Sequence, residues 1–145
     1  MKTCKTKKDK RLGISEILNI CTWNVRGISN KTEQLEKELK DRNIDIALIT
    51  ETKKKMKGTT DLNSYTMIYS GVSQEERAQA GVAILINKKW KNRINGYEWH
   101  NERILTCRFK IERGFMTVIC IYSFEEGRRE EVNEQSDRNI WRTSS

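Results

Sequence analysis

Ile44-Asp45-Ile46-Ala47-Leu48-Ile49 is a nearly unbroken apolar run closed by Thr50-Glu51. Such a run reads as a strand covered on both faces of its sheet. Upstream, Leu18-Asn19-Ile20-Cys21-Thr22-Trp23 has the composition of another strand, ended by Gly27 and Ser29-Asn30. The segment between them predicts a helix with Asn30 as its cap and Glu33 in the capping-box position. Leu35 and Leu39 form a narrow apolar stripe on it, and Glu33/Lys37 and Glu36/Lys40 stand one turn apart as surface ion pairs. Strand, short helix, strand is a βαβ unit, with parallel strands and a right-handed crossover. Parallel strands end on the same sheet edge. Asn24 and Glu51, each at the carboxyl end of its strand, are therefore predicted on one rim, where open α/β sheets place their binding sites.

Downstream the pattern turns to hairpins. Tyr65–Tyr69 predicts a short strand, residues 70–80 a polar loop, and Gly81-Val82-Ala83-Ile84-Leu85-Ile86 a buried strand. Residues 104–111 alternate, with Leu105, Cys107, Phe109 and Ile111 on one face and Thr106, Arg108 and Lys110 on the other. Glu112-Arg113-Gly114 turns the chain, and Phe115–Tyr122 returns as the partner strand. From Glu125 the chain is almost all charge, with Val132 the only apolar residue before Ile140-Trp141. Three regions follow: a basic flexible arm over 1–13, a folded part over 14–124, and a charged, degenerate tail over 125–145.

A chain of 145 residues allows one domain, and 36% hydrophobic against 33% charged residues is polar but not disordered. The net charge is +8, and the first eleven residues hold five of it, through Lys2, Lys5, Lys7, Lys8, Lys10 and Arg11 against Asp9. Smaller clusters stand at Lys53, Lys54, Lys55 and Lys57 and at Lys88, Lys89, Lys91 and Arg93. They suit a polyanionic partner, because neutralised phosphates release counterions; solvated loops are the equal alternative. Cys21, Cys107 and Cys120 lie inside strand patterns and Cys4 in the arm, with no C-x-x-C pair. Small buried thiols account for the pattern better than a zinc site or a disulfide-linked partner. No apolar run reaches membrane-spanning length and Met1–Arg11 lacks the apolar core of a signal peptide. The expected setting is intracellular, nuclear or cytoplasmic, without a membrane partner.

A carboxylate closing an apolar strand is costly without a partner or a task. Glu51 fits a magnesium anchor, since that ion takes one or two carboxylates beside waters and phosphate oxygens. Spacing alone makes a salt bridge to Lys53 the commoner outcome. The Asn24 amide can orient a phosphate or a water, although an ordinary turn asparagine is commoner. Tyr122 ends its strand near the same rim; a half-buried aromatic is the plainer reading. His100, the only histidine, sits in a polar stretch with no nucleophile to serve.

Ile20-Cys21-Thr22-Trp23-Asn24-Val25-Arg26-Gly27 resembles the opening signature of the endonuclease/exonuclease/phosphatase superfamily. The apolar strand running into Glu51-Thr52 resembles its second motif, and Gly81-Val82-Ala83-Ile84 its G-x-A-I strand. Arg103 and Thr117–Tyr122 follow in family order. Arg26 and the Tyr-x-x-x-Glu-Gly run over 122–127 resemble non-LTR retrotransposon endonucleases and their domesticated relatives, such as craniofacial development protein 2-like proteins. The match covers residues 16–127, and it is the order of the short motifs that makes it specific. The resemblance implies a Mg2+- or Mn2+-dependent phosphodiesterase acting on DNA. Glu51 and Asn24 would hold the metal, Asn24 and Tyr122 would serve the catalytic phosphate, and Lys53, Lys54 and Arg103 would contact phosphate or nucleic acid.

The family's later motifs, a G-D-x-N after an apolar strand, a further aspartate and an S-D-H, do not occur in this chain. Asp61-Leu62-Asn63 copies the letters of one but follows Gly58-Thr59-Thr60 rather than an apolar strand. Ser136-Asp137-Arg138-Asn139 follows a polar stretch and has arginine where histidine is needed, and Phe124 stands where the family has proline. The expected fold is thus α/β (α+β), a partial four-layer α/β sandwich of about six strands and one well-defined helix, with the second sheet missing. The unpartnered face would leave an apolar patch open to self-association. The expected function is a truncated endonuclease-type domain of retrotransposon origin, inactive alone. The alternatives are a non-catalytic basic nucleic-acid binder and a pseudogene-like product.

Overall fold

Every residue of Ile46–Thr50 is buried, and alternate side chains go to different cores. Ile46 and Leu48 enter one cluster, Ala47 and Ile49 the other. This is the physical content of the unbroken apolar run: both faces of the strand are covered.

A computed structural model describes residues 2–7, 18–123 and 143–144. In chain order these form β1 (Lys2–Lys7), β2 (Leu18–Asn24), α1 (Thr32–Asp41), β3 (Ile46–Thr50), β4 (Lys57–Asp61), β5 (Tyr65–Ser70) and β6 (Val82–Asn87). A 3-10 helix (Lys88–Arg93) leads on to β7 (Ile94–Asn101), β8 (Ile104–Ile111), β9 (Gly114–Ile121) and β10 (Thr143–Ser144). One sheet has the order β1-β2-β3-β6-β5-β4, the other β10-β9-β8-β7. β2 and β3 are parallel, with Asn24 beside Thr50; β3, β6, β5 and β4 follow antiparallel.

The α/β class and the partial sandwich hold, but the second sheet is present. Alternation along β8 and β9 shows that one face is buried without saying against what. Leu105, Cys107, Phe109, Ile111, Met116, Val118 and Cys120 pack on Leu18, Ile20, Ile46, Leu48, Val82, Ile84 and Ile86 of the first sheet. The 3-10 helix makes the crossing, with Trp90 buried in that core. The face expected to lie open is therefore covered. Among the described residues the exposed large hydrophobics are Met56 and Tyr97, so the patch proposed for self-association is not there. Leu35 and Leu39 of α1 close the other face of the first sheet with Ile28 and Ile44.

The count of about six strands is too low because edge strands carry little apolar pattern. β4 is almost wholly exposed, and β7 is exposed over most of its length. Lys2–Lys7, read as part of a mobile arm, pairs antiparallel with β2 along its whole length. An open edge of a sheet offers unpaired N–H and C=O groups to such a segment. Residues 8–13 of the arm and most of the 125–145 tail lie outside the described residues; Thr143 and Ser144 pair with Val118 and Thr117.

The helix starts later than its cap signal. Lys31 is the N-cap, with no side-chain cap bond, and Asn30 adopts a positive φ of 61° in the turn before it. Glu36 faces inward instead of pairing with Lys40. Its two carboxylate oxygens accept from Ser64 N at 2.9 Å and Asn63 N at 3.2 Å, pinning the β4–β5 turn to the helix.

Cys21, Cys107 and Cys120 are buried free thiols, and burial pushes Cys107 and Cys120 up to about 12. Tyr65 is fully buried and donates to Ile44 O at 2.6 Å. Burial, above all other causes, pushes its phenol up to about 12. An unfolded tyrosine ionises near ~10. The stability from keeping Tyr65 protonated is thus complete below that pH and is lost as pH rises towards 12. Urea midpoints measured between pH 9 and 12 should fall, and Tyr65→Phe should flatten that fall; an unchanged slope in the variant would refute the assignment.

Candidate active site

The backbone keeps β2 and β3 together past their ends. Val25 N donates to Thr50 O at 3.1 Å, Gly27 N to Glu51 O at 2.7 Å, and Ile28 N to Thr52 O at 2.8 Å. On the other side, Thr52 N and Lys53 N donate to Gly81 O and Ala80 O at 3.1 and 2.8 Å. The second sheet joins the same rim: Gly81 N donates to Glu102 O, Tyr122 N to Arg103 O, and Ser70 Oγ to Asn101 O. Glu51, Lys53 and Ala80 all have φ between 48° and 55°. Non-glycine residues in that region are strained and persist only where the surroundings fix them.

Glu51 does find a partner, but not the lysine. Tyr122 Oη donates to Glu51 Oε1 at 2.6 Å, joining the ends of the two sheets. The distance is in the range of charge-assisted O–H···O bonds. Burial, then the hydrogen bond and charge of Glu51, push the Tyr122 phenol well above the usual tyrosine range, opposed by Arg103. Tyr122 is therefore a donor at neutral pH. Asn24 Oδ1 accepts from Arg26 N at 3.2 Å, the turn role that its residue type favours.

The flanking cations divide. Lys53 lines an open cleft of about 310 Å³ together with Glu51 and Tyr122. Lys54 lies aside, its Nζ 4.5 Å from the centre of the Tyr69 ring. Arg103 sits at the β7–β8 turn, with N donating to Asn101 Oδ1 at 2.7 Å. The rest of the cleft's lining, Arg77-Ala78-Gln79-Ala80, belongs to the polar loop and was not legible as part of a site. Its run of Glu75-Glu76-Arg77 reads as an ordinary solvated loop.

Strand register also disposes of the first lookalike motif. Thr50, Val82, Ser70 and Lys57 lie along one rim, and Ile46, Asn87, Tyr65 and Asp61 towards the other. Asp61 is thus across the sheet from Glu51, bonded to Lys91 Nζ and Thr66 Oγ1. Those two hydrogen bonds, Lys91 first, hold its carboxyl below the usual range. Ser136–Asn139 and Phe124 lie outside the described residues. His100 is exposed, with Nε2 3.2 Å from Thr106 Oγ1 and 3.4 Å from Glu98 Oε2.

Among the described residues no three His, Cys, Asp or Glu side chains gather to hold a metal ion. One carboxylate and one amide at the rim are still a donor set of the kind a hard cation accepts, because magnesium keeps waters and takes the rest from substrate phosphate. No helix among the described residues is long and apolar enough to cross a membrane.

The fold is a two-sheet α/β sandwich, with a carboxylate, an amide and a phenol where the ends of the two sheets meet. Residues 21–142 match the model of the Endonuclease/Exonuclease/phosphatase family. The chain belongs to that family. It is 33% identical over 105 residues to craniofacial development protein 2 of Bos taurus, and 32% identical to that of Tragulus javanicus. Each match covers 72% of this chain but only 17% and 18% of the relative, so the chain spans less than a fifth of those proteins. Its fold is similar to that of the AP endonuclease LMAP from Leishmania major, with TM-score 0.59, 14% identity, and coverage of 73% of this chain and 40% of that one. It is also similar to the 3' phosphatase NExo from Neisseria, solved bound to product DNA hairpin, with TM-score 0.52, 17% identity, and coverage of 83% and 49%.

Proposed function

We propose that this chain carries the metal-anchoring and phosphate-gripping corner of a Mg2+- or Mn2+-dependent phosphodiesterase of endonuclease type, acting on DNA. The observation that carries the reading is the 2.6 Å bond from Tyr122 Oη to Glu51 Oε1 at the rim, with Asn24 on the adjoining strand. Glu51 and Asn24 would hold the ion, which supplies charge neutralisation at the phosphate. Glu51 keeps Oε2 outside that bond. Tyr122 stays protonated, and its single O–H, which goes to Glu51 Oε1 here, can turn to a phosphate oxygen once an ion engages that carboxylate. Asn24 orients the turn through Oδ1 and keeps its amide N–H groups for phosphate. Lys53 and Arg103 add positive charge at the rim, and Lys54 adds it from the flank. The Arg26 and Tyr122-to-Gly127 signatures support a retrotransposon origin. A DNA-bound protein sharing the fold supports nucleic acid as the partner.

One carboxylate supplies an anchor but no water-activating base. The chain alone is therefore expected to bind Mn2+ weakly and to nick plasmid DNA slowly or not at all. Mn2+ added to labelled protein should broaden the amide resonances of Asn24, Glu51 and Tyr122 first, and Glu51→Gln should abolish that broadening. Broadening centred elsewhere, or unchanged in the variant, overturns the metal assignment. Rapid nicking abolished by Glu51→Gln would instead show that the site is complete in this chain. A second reading, a non-catalytic nucleic-acid binder, is favoured by the exposed lysines at 53 and 88–91. It predicts binding that is insensitive to metal and falls steeply with salt.

A further inference from the structure

The polar loop between β5 and β6 is held at both ends and presents its middle to the site. At the near end, Ser73 Oγ bonds Glu76 Oε1 at 3.0 Å, and Lys55 Nζ donates to Gln74 O at 3.1 Å. At the far end, Ala80 and Gly81 are locked to Lys53 and Thr52 through the backbone. Between these anchors Arg77 is exposed, and it lines the same cleft as Glu51 and Tyr122, with Lys53 also on its lining. The neighbouring acid Glu76 is already bonded to Ser73, which leaves Glu75 as the other exposed acid of the loop.

We infer that Arg77 grips the phosphate adjacent to the one that accepts from Tyr122, so that the cleft selects a nucleic-acid strand over an isolated phosphate ester. This rests on the phosphodiesterase reading above. A cleft with two lysine and arginine cations around one carboxylate suits an occupant with more than one negative charge. The arginine fork matches a phosphodiester's two free oxygens in a bidentate way that a lysine cannot. The loop's fixed ends keep the entropy cost of that grip small.

The test uses the whole chain in EDTA, with fluorescence anisotropy of a labelled single-stranded oligonucleotide across about 50 to 200 mM salt. Arg77→Ala should weaken binding about tenfold and lower the slope of log affinity against log salt by about 0.7, the value for one lost contact to a single strand. Arg77→Lys should restore the slope and only part of the affinity. In competition, the dinucleotide pdTpdT should outcompete the mononucleotide pdT, and Arg77→Ala should erase that advantage. A slope and a dinucleotide preference unchanged in Arg77→Ala, with the thermal midpoint retained, would overturn the inference. Neither readout needs metal or hydrolysis. If Mn2+ does not map to Glu51 while Arg77→Ala still acts, the metal reading fails alone; the reverse pattern removes Arg77 alone.

Discussion

Replacing Asp45 by alanine should destabilise the chain by about 3 kcal/mol, because it leaves buried donors without an acceptor. Asp45 is 2% exposed, yet it immediately precedes the fully buried strand β3. Its Oδ2 accepts from Asn19 N at 2.8 Å. Its Oδ1 accepts from Trp90 Nε1 at 3.2 Å and faces Lys89 Nζ at 2.9 Å. Its backbone pairs with Asn19 O and Asn87 N. One residue thus ties β2, β3 and β6 to the 3-10 helix that carries the chain into the second sheet. The ammonium is half exposed, so the ion pair contributes little and Lys89→Ala should cost under about 1 kcal/mol. Asp45→Asn keeps one acceptor and should cost about half as much as alanine. Urea denaturation of the three variants gives the order. Lys89→Ala as costly as Asp45→Ala would mean that charge pairing, not the acceptor role, dominates. The rim at Glu51 lies across the sheet, so folded Asp45→Asn should keep its Mn2+ response.

Asp45 also marks where the sequence stops being readable. Ile46–Ile49 and Val82–Ile86 announce themselves because both of their faces are covered, and the parallel pairing of β2 with β3 puts Asn24 beside Thr50 as the crossover rule requires. A charged residue inside such a run gives no hint that Trp90, far along the chain, will need its oxygen. Glu36 is similar: its spacing to Lys40 describes a surface pair, and only the tertiary arrangement turns it onto the 62–64 turn. Edge strands β4 and β7 bury too little to impose a period. The two-sheet arrangement escaped because period-two alternation in β8 is the same whether its apolar face meets a helix, a sheet or nothing. At the site, strand ends brought Asn24, Glu51 and Tyr122 into view. Arg77 stands in a loop without a period, and Lys53 and Lys54, adjacent in sequence, part ways because only one lies against Tyr69.

Gly81→Ala should be comparably damaging, by about 3 kcal/mol, and should disturb the site as well as the fold. Two costs combine there. Gly81 has φ +89°, a region that side chains rarely adopt, and an added Cβ would stand 2.3 Å from Thr52 Oγ1 and 3.2 Å from Lys53 N. Thr52 is 1% exposed and its Oγ1 accepts from Lys54 N, so it has little freedom to withdraw. The segment that must give way is Glu51-Thr52-Lys53, which already holds strained backbone at Glu51 and Lys53. Gly114 separates the two costs. Its φ is +134°, but an added Cβ meets nothing within 4 Å, so Gly114→Ala should cost only about 1 kcal/mol of backbone strain and leave the rim untouched. Urea unfolding measures the two penalties. Tyr122 provides the local readout: its phenol is held up partly by the Glu51 hydrogen bond, so its 295 nm titration should move down in Gly81→Ala and stay in place in Gly114→Ala. Equal penalties in the two variants, or an unmoved Tyr122 titration in Gly81→Ala, would show that the close approach of Gly81 to Thr52 does not position Glu51.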